Sequence, residues 1–469
     1  MPTWSVTEIL QRTHGALLWG EPQRQVYGVS TDSRTMHAGE LFVALQGEHF
    51  DGHRFVAAAL QHGAAAVLLS DPQYVAPQSV AATTAAGIRV ADTQQALQEF
   101  ALAHRQQFPG TVIAITGSNG KTTVKEMTAA VVQQRYTTYK AHGNLNNHIG
   151  VPLALLQLEV THQVAVLELG MNHLGEIRRL CEMALPHIGV ITNIGLAHVG
   201  YVGSIARIQQ AKGELIEALD ATSVAIVNAD DPRALALGQQ ARGRLLTFGQ
   251  GPQADIRGWV HADRGLEGVL CTLMLNDTAY EVALPLPGTH QVMNALAAAA
   301  VGVALQVSAA AIVAGLQSYH GLYGRMAVKR GQDGVVLIDD TYNASPQSMR
   351  AALQCLAQTR VVGRRLAVLG DMLELGDEAP PLHAEVGMLV AQSGVHQLMT
   401  FGPLAQYIAQ GAQQAGMAAA CIHVTTQPED VLTLLRSMMQ PGDVILLKGS
   451  RGMAMERLVD ALAEQQGGG

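Results

Sequence analysis

Short runs of valine, isoleucine and leucine recur along most of this chain, and helical patterns separate one run from the next. Runs as apolar as these indicate strands that are buried on both faces, as in parallel sheets with helices on either side. The sequence therefore predicts an α/β fold built on parallel sheets. The predicted strands cover residues 112–115, 164–167, 188–192, 224–228, 335–338, 366–369 and 444–447.

The length of the chain indicates several domains. Domains usually contain roughly 100 to 200 residues, so a chain of 469 residues has room for about three. A stretch rich in Pro, Ser, Ala and Thr at residues 76–86 is typical of a linker, and a second seam lies near residues 319–330. We therefore predict domains at residues 1–84, 85–319 and 320–469.

The composition excludes several functional classes. The 30 basic and 38 acidic residues give a formal net charge of −8, which disfavours nucleic acid as a partner. The four cysteines lie far apart in the sequence, so we expect free thiols rather than a thiolate metal site. Residues 1–10 have neither a basic start nor an apolar signal core. These features predict a cytoplasmic protein, because thiols stay reduced in that compartment.

One segment is apolar enough to need separate consideration. Residues 295–316 contain only Gln306 and Ser308 as polar residues and could cross a bilayer by length alone. However, the segment consists largely of alanine, which partitions weakly into lipid, and Ser308 is placed to cap a second helix. We therefore predict two adjoining buried helices and no membrane span.

The strongest motif joins a predicted strand to a predicted helix. Residues 113–123 contain a buried strand, a glycine-rich turn and the start of a helix, which is the order found in a P-loop. Glycines let backbone N–H groups converge on phosphate oxygens, Lys121 supplies a mobile cation, and the Thr122 hydroxyl can ligate magnesium. The predicted nucleotide-binding residues of this loop are Gly117, Ser118, Asn119, Gly120, Lys121, Thr122 and Thr123.

This loop departs from the usual pattern at one position. Ile115 stands where a P-loop has its first glycine, which indicates a subfamily with a shortened Gly-x-x-Gly-Lys-Thr loop. Nothing that resembles Asn-Lys-x-Asp follows, so ATP is favoured over GTP. The alternative interpretation is a glycine-rich turn with an incidental lysine.

Two polar side chains follow predicted strands. Glu168 ends the strand at residues 164–167, a position from which a carboxylate can reach a metal beside a triphosphate. His198 lies on the loop after the strand at residues 188–192, and ligands bind at the carboxyl ends of parallel strands. We predict that Glu168 holds magnesium and that His198 lies where a ligand binds. The alternatives are an ordinary acid at a strand end and a histidine bonded to the backbone.

A lysine falls on the apolar face of a predicted helix. This helix opens at Ser204 and places Lys212 on the same face as Ile208. Burial lowers the pKa of a lysine, and a neutral amine can take up carbon dioxide to form a carbamate, which is an anionic metal ligand. We therefore hypothesise a carbamylated Lys212. The alternative is an unmodified Lys212 that reaches solvent or pairs with Glu168 or Glu214.

Together these motifs resemble those of the Mur ligases over essentially the whole chain. The matching segments are residues 116–122, 144–152, 168–172, 192–195 with His198, 211–214, 228–232, His290 with Asn294, and Gly324 with Arg325. Residues 339–346, 369–376 and 448–452 resemble the branch of this family that adds D-alanyl-D-alanine. The resemblance implies three domains: an N-terminal α/β domain that binds a UDP-sugar, a central P-loop ATPase, and a C-terminal Rossmann-like domain that binds the incoming dipeptide.

The resemblance also implies roles for individual residues. Lys121 and Arg325 would bind phosphates, and Asn294 and Asp340 would contact adenine or ribose. Magnesium would be held by Thr122, Glu168 and His198, with a carbamylated Lys212 bridging to a second ion. The expected catalytic residues are Lys121, Glu168, His198, Lys212 and Arg325. The residues expected to contact the UDP-linked substrate are Ser33, Arg34 and Gly47, within segments 30–34 and 47–53, together with Asn146 and Asn147.

The implied activity is that of an ATP-dependent, ADP-forming ligase that works through an acyl-phosphate. The carboxylate would belong to UDP-N-acetylmuramoyl-tripeptide and the amine to D-alanyl-D-alanine, so that the product is the pentapeptide precursor of peptidoglycan. We expect the chain to act as a monomer.

Two other functions remain open. The nearest is another ligase of this fold, either one that adds the third peptide residue or a folylpolyglutamate-type synthetase. The third-residue ligases that add diaminopimelate carry Asp-Asn-Pro-Arg in the C-terminal domain, whereas residues 230–233 here read Asp-Asp-Pro-Arg and lie in the predicted central domain. The other is a P-loop switch without ligation, which Glu168, His198 and Lys212 disfavour because a switch needs a single metal centre.

Overall fold

The computed structural model of the protein describes residues 2–47, 50–81 and 83–464. The first unit is a five-stranded sheet in the order β2-β7-β6-β5-β4, with a small β1-β3 sheet beside it. Its elements are β1 (Thr3–Ser5), α1 (Val6–Thr13), β2 (Ala16–Trp19), β3 (Gln25–Tyr27), β4 (Val29–Ser30), β5 (Leu41–Val43), α2 (Val56–Gln61), β6 (Ala66–Leu69), α3 (Pro77–Ala81), β7 (Ala86–Arg89) and α4 (Thr93–Arg105).

The N-terminal unit is longer than the sequence predicted. Strand β7 pairs with β2 and β6, so the sheet continues beyond the predicted boundary at residue 84, which is therefore one strand too early. The segment at residues 76–86 contains the helix α3 rather than only a linker. Gly87 explains why β7 lacks a clear apolar pattern: a Cβ at this position would lie 2.3 Å from the Trp19 ring. The Trp19 indole occupies the space that a side chain at position 87 would need.

The central unit is a nine-stranded sheet in the order β16-β15-β14-β13-β12-β11-β8-β10-β9. Strands β8 to β14 pair in parallel with one another, and β15 and β16 extend the sheet from β14 with antiparallel pairs. Its elements are β8 (Thr111–Thr116), α5 (Lys121–Val132), β9 (Thr138–Lys140), α6 (Gly150–Leu155), β10 (Val164–Glu168), α7 (Glu176–Ala184), β11 (Ile188–Ile191), α8 (Val199–Val202), α9 (Ile205–Ala218), β12 (Val224–Asn228), α10 (Pro232–Gly238), β13 (Arg244–Gly249), β14 (Ile256–Asp263), β15 (Val269–Leu275), β16 (Thr278–Leu284), α11 (Gln291–Ala304) and α12 (Ala309–Gln317).

The C-terminal unit is a six-stranded sheet in the order β17-β18-β22-β19-β20-β21, in which only the β17–β18 pair is antiparallel among the described strands. Its elements are β17 (Ala327–Arg330), β18 (Val336–Asp340), α13 (Pro346–Gln358), β19 (Arg365–Gly370), α14 (Ala379–Gln392), β20 (Gln397–Phe401), α15 (Gln406–Gln414), β21 (Ile422–Thr425), α16 (Pro428–Met438), β22 (Val444–Lys448) and α17 (Glu456–Leu462). Short 3-10 helices lie at Gly52–Phe55, Pro72–Tyr74, Gly265–Glu267, Gln332–Gly334, Gly376–Glu378, Ala419–Cys421 and Arg451–Met453.

The predicted α/β class is confirmed, and each predicted apolar run lies in a parallel strand pair. The alanine-rich segment forms the two predicted helices, α11 and α12, and the Ser308 side chain caps the second by accepting a hydrogen bond from Ala311 N at 3.3 Å. None of the described helices is long and apolar enough to cross a membrane. Helix α11 is buried along almost its whole length, which explains its lack of charge.

A buried arginine ties the N-terminal unit to the central unit. Arg105, the last residue of α4, donates hydrogen bonds to the carbonyl oxygens of Ala184 and Leu185 at 2.7 and 2.8 Å. These carbonyls lie at the end of α7, where the helix leaves backbone acceptors without partners. Burial lowers the pKa of Arg105 to about 10, which still leaves the side chain charged near neutral pH. The guanidinium therefore satisfies one helix end and fixes α4 against the central sheet.

Candidate active site

A glycine-rich loop connects β8 to α5 at the carboxyl edge of the central sheet. Gly117 and Gly120 have φ angles of 149° and 81°, in the region that residues with a side chain rarely adopt. A Cβ on Gly117 would lie 1.8 Å from the Thr192 hydroxyl oxygen, and one on Gly120 would lie 2.5 Å from Asn294 Oδ1. Only glycine fits at these two positions, and the backbone of the loop is therefore held close to its neighbours.

The loop opens into a cavity of about 720 Å³ between the central and C-terminal units. The cavity brings together most of the residues that the sequence analysis selected, although they are spread over more than 200 positions of the chain. The predicted residues on its wall are Ser118, Asn119, Gly120, Lys121, Thr122, Thr123, Asn146, Asn147, Glu168, His198, Asn294, Arg325 and Asp340.

A hydrogen-bonded cluster occupies the floor of this cavity. The Thr122 hydroxyl donates to Glu168 Oε2 at 2.8 Å and accepts from the Arg325 guanidinium at 2.8 Å. Asn146 donates to the other carboxylate oxygen of Glu168, also at 2.8 Å. Both carboxylate oxygens are thereby oriented, because each has a fixed donor. The cluster combines the predicted strand-end acid with the P-loop threonine and an arginine from the connection to the C-terminal unit.

Lys121 is folded back over the loop. Its ammonium group donates to the Gly117 carbonyl oxygen at 2.9 Å. Burial lowers the pKa of Lys121, while the nearby Glu168 carboxylate raises it and the Arg325 charge lowers it further. A bound phosphate would supply the negative charge that this partly buried cation lacks.

His198 contacts a carboxylate from the other unit. It has a φ of 65° and its Nδ1 lies 2.6 Å from Glu374 Oε2, while Gly200 N donates to the Glu374 carbonyl oxygen at 2.8 Å. The interaction with His198 is the main cause that lowers the pKa of Glu374. Sequence analysis had quoted Glu374 within a family segment but gave it no role. An acid four residues after the β19 strand was the signal, yet only the three-dimensional structure identifies its partner.

Lys212 is enclosed on α9, with 1% of its surface exposed. Burial lowers its pKa well below the ordinary value, and repulsion from Lys121 adds to this effect. Neither of the alternative pairings is present. Glu168 accepts from Thr122 and Asn146, and Glu214 accepts from Gly175 N and Arg178 N at the start of α7. Exposure to solvent is excluded as well. Within the described chain, Lys212 has no hydrogen-bonding or ionic partner, so its amine is suited to the neutral form.

The central and C-terminal units are also joined through the P-loop. Asn119 donates to Gln347 Oε1 at 2.7 Å and accepts from the Ser345 hydroxyl at 2.7 Å. Its backbone N–H and carbonyl are bonded to Asn193 and Thr192, so the side chain is fixed from both sides. Gln347 lies at the start of α13 and was not selected from the sequence. A contact between residues this far apart leaves no periodic signal.

The predicted adenine and ribose residues come from two different units of the fold. Asn294 on α11 packs directly against Gly120. Asp340, at the end of β18, forms an ion pair with Lys448 at 2.6 Å and accepts from Met326 N at 3.2 Å. Arg325 stacks on the Tyr342 ring, with 4.1 Å between the guanidinium carbon and the ring centroid. These contacts connect the end of the C-terminal sheet to the phosphate loop.

The predicted residues of the N-terminal unit lie outside this cavity. Arg34 is exposed and forms an ion pair with Asp32 at 2.7 Å, and the carbonyl of Ser33 bonds to the His62 ring at 2.6 Å. Gly47 donates its N–H to the Phe50 carbonyl at 2.7 Å. Residues 48 and 49, in the middle of the segment at 47–53, lie outside the described residues. Asn147 lines the cavity, but its side chain caps α6 through the N–H of Gly150 at 2.8 Å.

The metal-binding potential of the cavity is limited to a few groups. Within the part of the chain that the structure describes, no three His, Cys, Asp or Glu side chains converge on one point. Thr122 and Glu168 present adjacent oxygens, and His198 lies on the same wall but contacts Glu374. Magnesium is commonly held by one or two carboxylates together with substrate phosphates and water. Thr122 and Glu168 fit that requirement without an all-protein cage.

Three family models match successive parts of the chain. They are the Mur ligase family catalytic domain at residues 25–105, the Mur ligase middle domain at residues 115–302, and the Mur ligase glutamate ligase domain at residues 324–451. The UDP-N-acetylmuramoyl-tripeptide–D-alanyl-D-alanine ligase of Bacillus subtilis is 37% identical over 464 residues, with 98% of each chain covered.

Solved structures agree with this result. The MurF structure from Acinetobacter baumannii has a TM-score of 0.87 and 33% identity, covering 98% of this chain and 99% of the other. The MurF ligase of Thermotoga maritima, determined in complex with ADP, has a TM-score of 0.78 and 28% identity, covering 93% and 96%. Both similarities extend over all three units of the fold.

The contact between His198 and Glu374 predicts a pH-dependent association of the two units. Glu374→Gln removes the negative charge and should weaken the association by about 1 kcal/mol, since the pair is partly exposed. Because the pKa of Glu374 is lowered, its stabilising effect is present above the ordinary carboxyl pKa and is lost as the pH falls through the lowered value. Small-angle scattering of the ligand-free protein should show a larger radius of gyration for the variant at pH 7.

The matched control is Glu385→Gln, which removes an exposed acid from α14 and should leave the radius of gyration unchanged. Equal radii for the wild type and Glu374→Gln at pH 7 would contradict a role of this contact in holding the units together.

Proposed function

The chain belongs to the Mur ligase family, and from that premise we propose how its own residues perform the reaction. It is an ATP-dependent, ADP-forming ligase that joins D-alanyl-D-alanine to UDP-N-acetylmuramoyl-tripeptide through an acyl-phosphate, as a step of peptidoglycan synthesis. The observation that carries the residue assignments is the cluster of Thr122, Glu168 and Arg325 beside Lys121 at the mouth of the P-loop.

Electrostatic repulsion is the first obstacle to this reaction. A carboxylate that attacks the γ-phosphate brings two anions together, and like unit charges at 4 Å repel by about 4 kcal/mol at an effective dielectric constant near 20. Lys121 and Arg325 both line the cavity and can offset this repulsion. They also orient the phosphoryl group for in-line transfer, so that the oxygen of the substrate carboxylate bonds to phosphorus while ADP leaves.

We assign the magnesium ligands to the residues whose chemistry fits. Thr122 and Glu168 would hold magnesium with their adjacent oxygens, and His198 would contribute directly or through water. When bound, magnesium would neutralise charge that develops on the phosphate oxygens. Asn146 keeps the Glu168 carboxylate oriented, because it donates to the oxygen that Thr122 leaves free. Asn294 and Asp340, which both line the cavity, would contact adenine or ribose.

We propose that Lys212 is carbamylated and bridges to the second magnesium ion. Its enclosed position without a partner favours the neutral amine, which can add to carbon dioxide with loss of a proton. The modification replaces a neutral amine near Lys121 with an anion. The anion would attract the Lys121 ammonium group and so compensate its charge.

The remaining assignments concern the UDP-linked substrate, the oligomeric state and the cellular compartment. Ser33, Arg34, Gly47, Asn146 and Asn147 are proposed to contact the UDP-linked substrate, and the N-terminal unit must then move toward the cavity before reaction. One chain supplies all the residues assigned here, which is consistent with a monomer. A reducing cytoplasm suits the four free cysteines, of which Cys181, Cys271 and Cys355 are buried.

The function is tested by phosphate release. We expect release from ATP to require both UDP-N-acetylmuramoyl-tripeptide and D-alanyl-D-alanine, with a pentapeptide product identified by mass.

Thr122→Ala should lower kcat by about 100-fold or more, because the metal-binding oxygen and a partner of Arg325 are both lost. Thr128→Ala, which removes a buried hydroxyl elsewhere on α5, is the control for folding. Release that is indifferent to both substrates would instead favour the non-ligating switch.

The carbamate on Lys212 is tested separately. Incubation with ¹³C-labelled carbon dioxide should give a carbamate signal in the carbon NMR spectrum of the wild type. Lys212→Ala should lack this signal and lose activity by about 100-fold or more, with partial recovery on addition of a short carboxylic acid that replaces the missing anion. Lys140→Ala, which removes a partly exposed lysine, should keep the signal. An unchanged carbamate signal in Lys212→Ala would assign the modification to another residue.

A further inference from the structure

The C-terminal unit contributes one exposed cation to the cavity lining that is bonded neither to the phosphate loop nor in a buried ion pair. Among the described residues, the lysines and arginines that line the cavity are Lys121, Arg325, Lys448 and Arg451. Lys121 and Arg325 are engaged at the phosphate loop, and Lys448 is buried in its ion pair with Asp340. Arg451 remains, on the 3-10 helix after β22.

Arg451 is held weakly by its present partner. Its side chain is 62% exposed, and its ion pair with Glu456 at 3.2 Å uses one of the guanidinium nitrogens. A guanidinium carries five N–H donors in a planar fork that suits a carboxylate, so Arg451 can bind a second anion without losing Glu456. Exposed ion pairs of this kind contribute little free energy, and the group is therefore available to a ligand.

Arg451 and Arg325 lie near the same aromatic ring. Its guanidinium carbon lies 5.7 Å from the centroid of the Tyr342 ring, and the Arg325 guanidinium carbon lies 4.1 Å from the same centroid. The sum of these two distances is therefore the upper limit on the separation between the two guanidinium carbons. Two residues of extended chain span about 7 Å. An amine placed at the acyl-phosphate near Arg325 would thus carry a terminal carboxylate within reach of Arg451.

An exposed apolar side chain lies beside this arginine. Leu373 is 37% exposed and lines the cavity, and a Cβ on Gly452, the residue after Arg451, would lie 2.9 Å from its Cδ1. The Leu373 backbone N–H is fixed by the Ser450 hydroxyl at 2.9 Å. A cation next to a small apolar surface is complementary to a carboxylate whose neighbouring carbon bears a methyl group.

We propose that Arg451 binds the terminal carboxylate of the incoming dipeptide and that Leu373 contacts its C-terminal methyl group. This inference rests on the proposed function, because it assumes that the cavity accepts D-alanyl-D-alanine as the amine substrate. Arg451 then recognises the negative charge of the dipeptide's C-terminal carboxylate, while the amine at the N-terminus of the dipeptide points to the acyl-phosphate. A dipeptide without that charge would lose its anchor but keep its nucleophile.

The test compares D-alanyl-D-alanine with its C-terminal amide, which keeps the amine and both methyl groups but lacks the negative charge. The wild type should prefer the acid by about 10- to 100-fold in kcat/KM, as expected for a charge-assisted bidentate contact. In Arg451→Gln this preference should fall to about threefold or less, with unchanged KM values for ATP and for the UDP-linked substrate. Arg451→Lys should retain an intermediate preference.

The control is Arg457→Gln, which removes an exposed arginine from the following helix and should keep the full preference for the acid. The proposal is overturned if Arg451→Gln keeps the wild-type preference, if its KM rises for ATP while the preference remains, or if the wild type does not distinguish acid from amide. Failure of the wild type to form any dipeptide-dependent product would instead refute the proposed function, so the two failures are distinguishable.

Discussion

The hydrogen bonds around Thr122 are the constraint on which the active site depends. This hydroxyl accepts from Arg325, which lies 203 positions later in the chain, and donates to Glu168 at the end of the neighbouring strand. The contact exists because β8 and β10 are adjacent parallel strands that end at the same edge of the sheet. Without that adjacency the nucleotide loop, the acid and the arginine would not face one cavity.

Three lysines in or near the cavity influence its electrostatic character. Burial lowers the pKa values of Lys121, Lys212 and Lys448, and only Lys448 has a carboxylate within 3 Å. An excess of buried positive charge is costly unless an anion compensates it. A triphosphate beside Lys121 and a carbamate on Lys212 would each supply that compensation. The ligand-free site is thus arranged for negative charge that the substrates and the modification bring.

Patterns within short segments of the sequence predicted the strands, the helix caps and the buried face of one helix. The apolar runs identified parallel strands, Ser204 and Ser308 were recognised as helix caps, and Lys212 was predicted on the buried face of α9. The boundary at residue 84 was wrong because β7 owes its place to the packing of Gly87 against Trp19. The partners of Asn119 and His198 were not predictable, since Gln347 and Glu374 meet them only when two separate sheets are packed together.

The central claim is that the carboxylate of the UDP-linked substrate is activated as an acyl-phosphate in this cavity. The most direct measurement is transfer of ¹⁸O from the labelled terminal carboxylate of the tripeptide to inorganic phosphate during amide formation. The account predicts one labelled oxygen in the phosphate for each amide bond formed, because the bond between the carboxyl carbon and the bridging oxygen breaks when the amine attacks. Phosphate free of label, released together with the amide product, would contradict it.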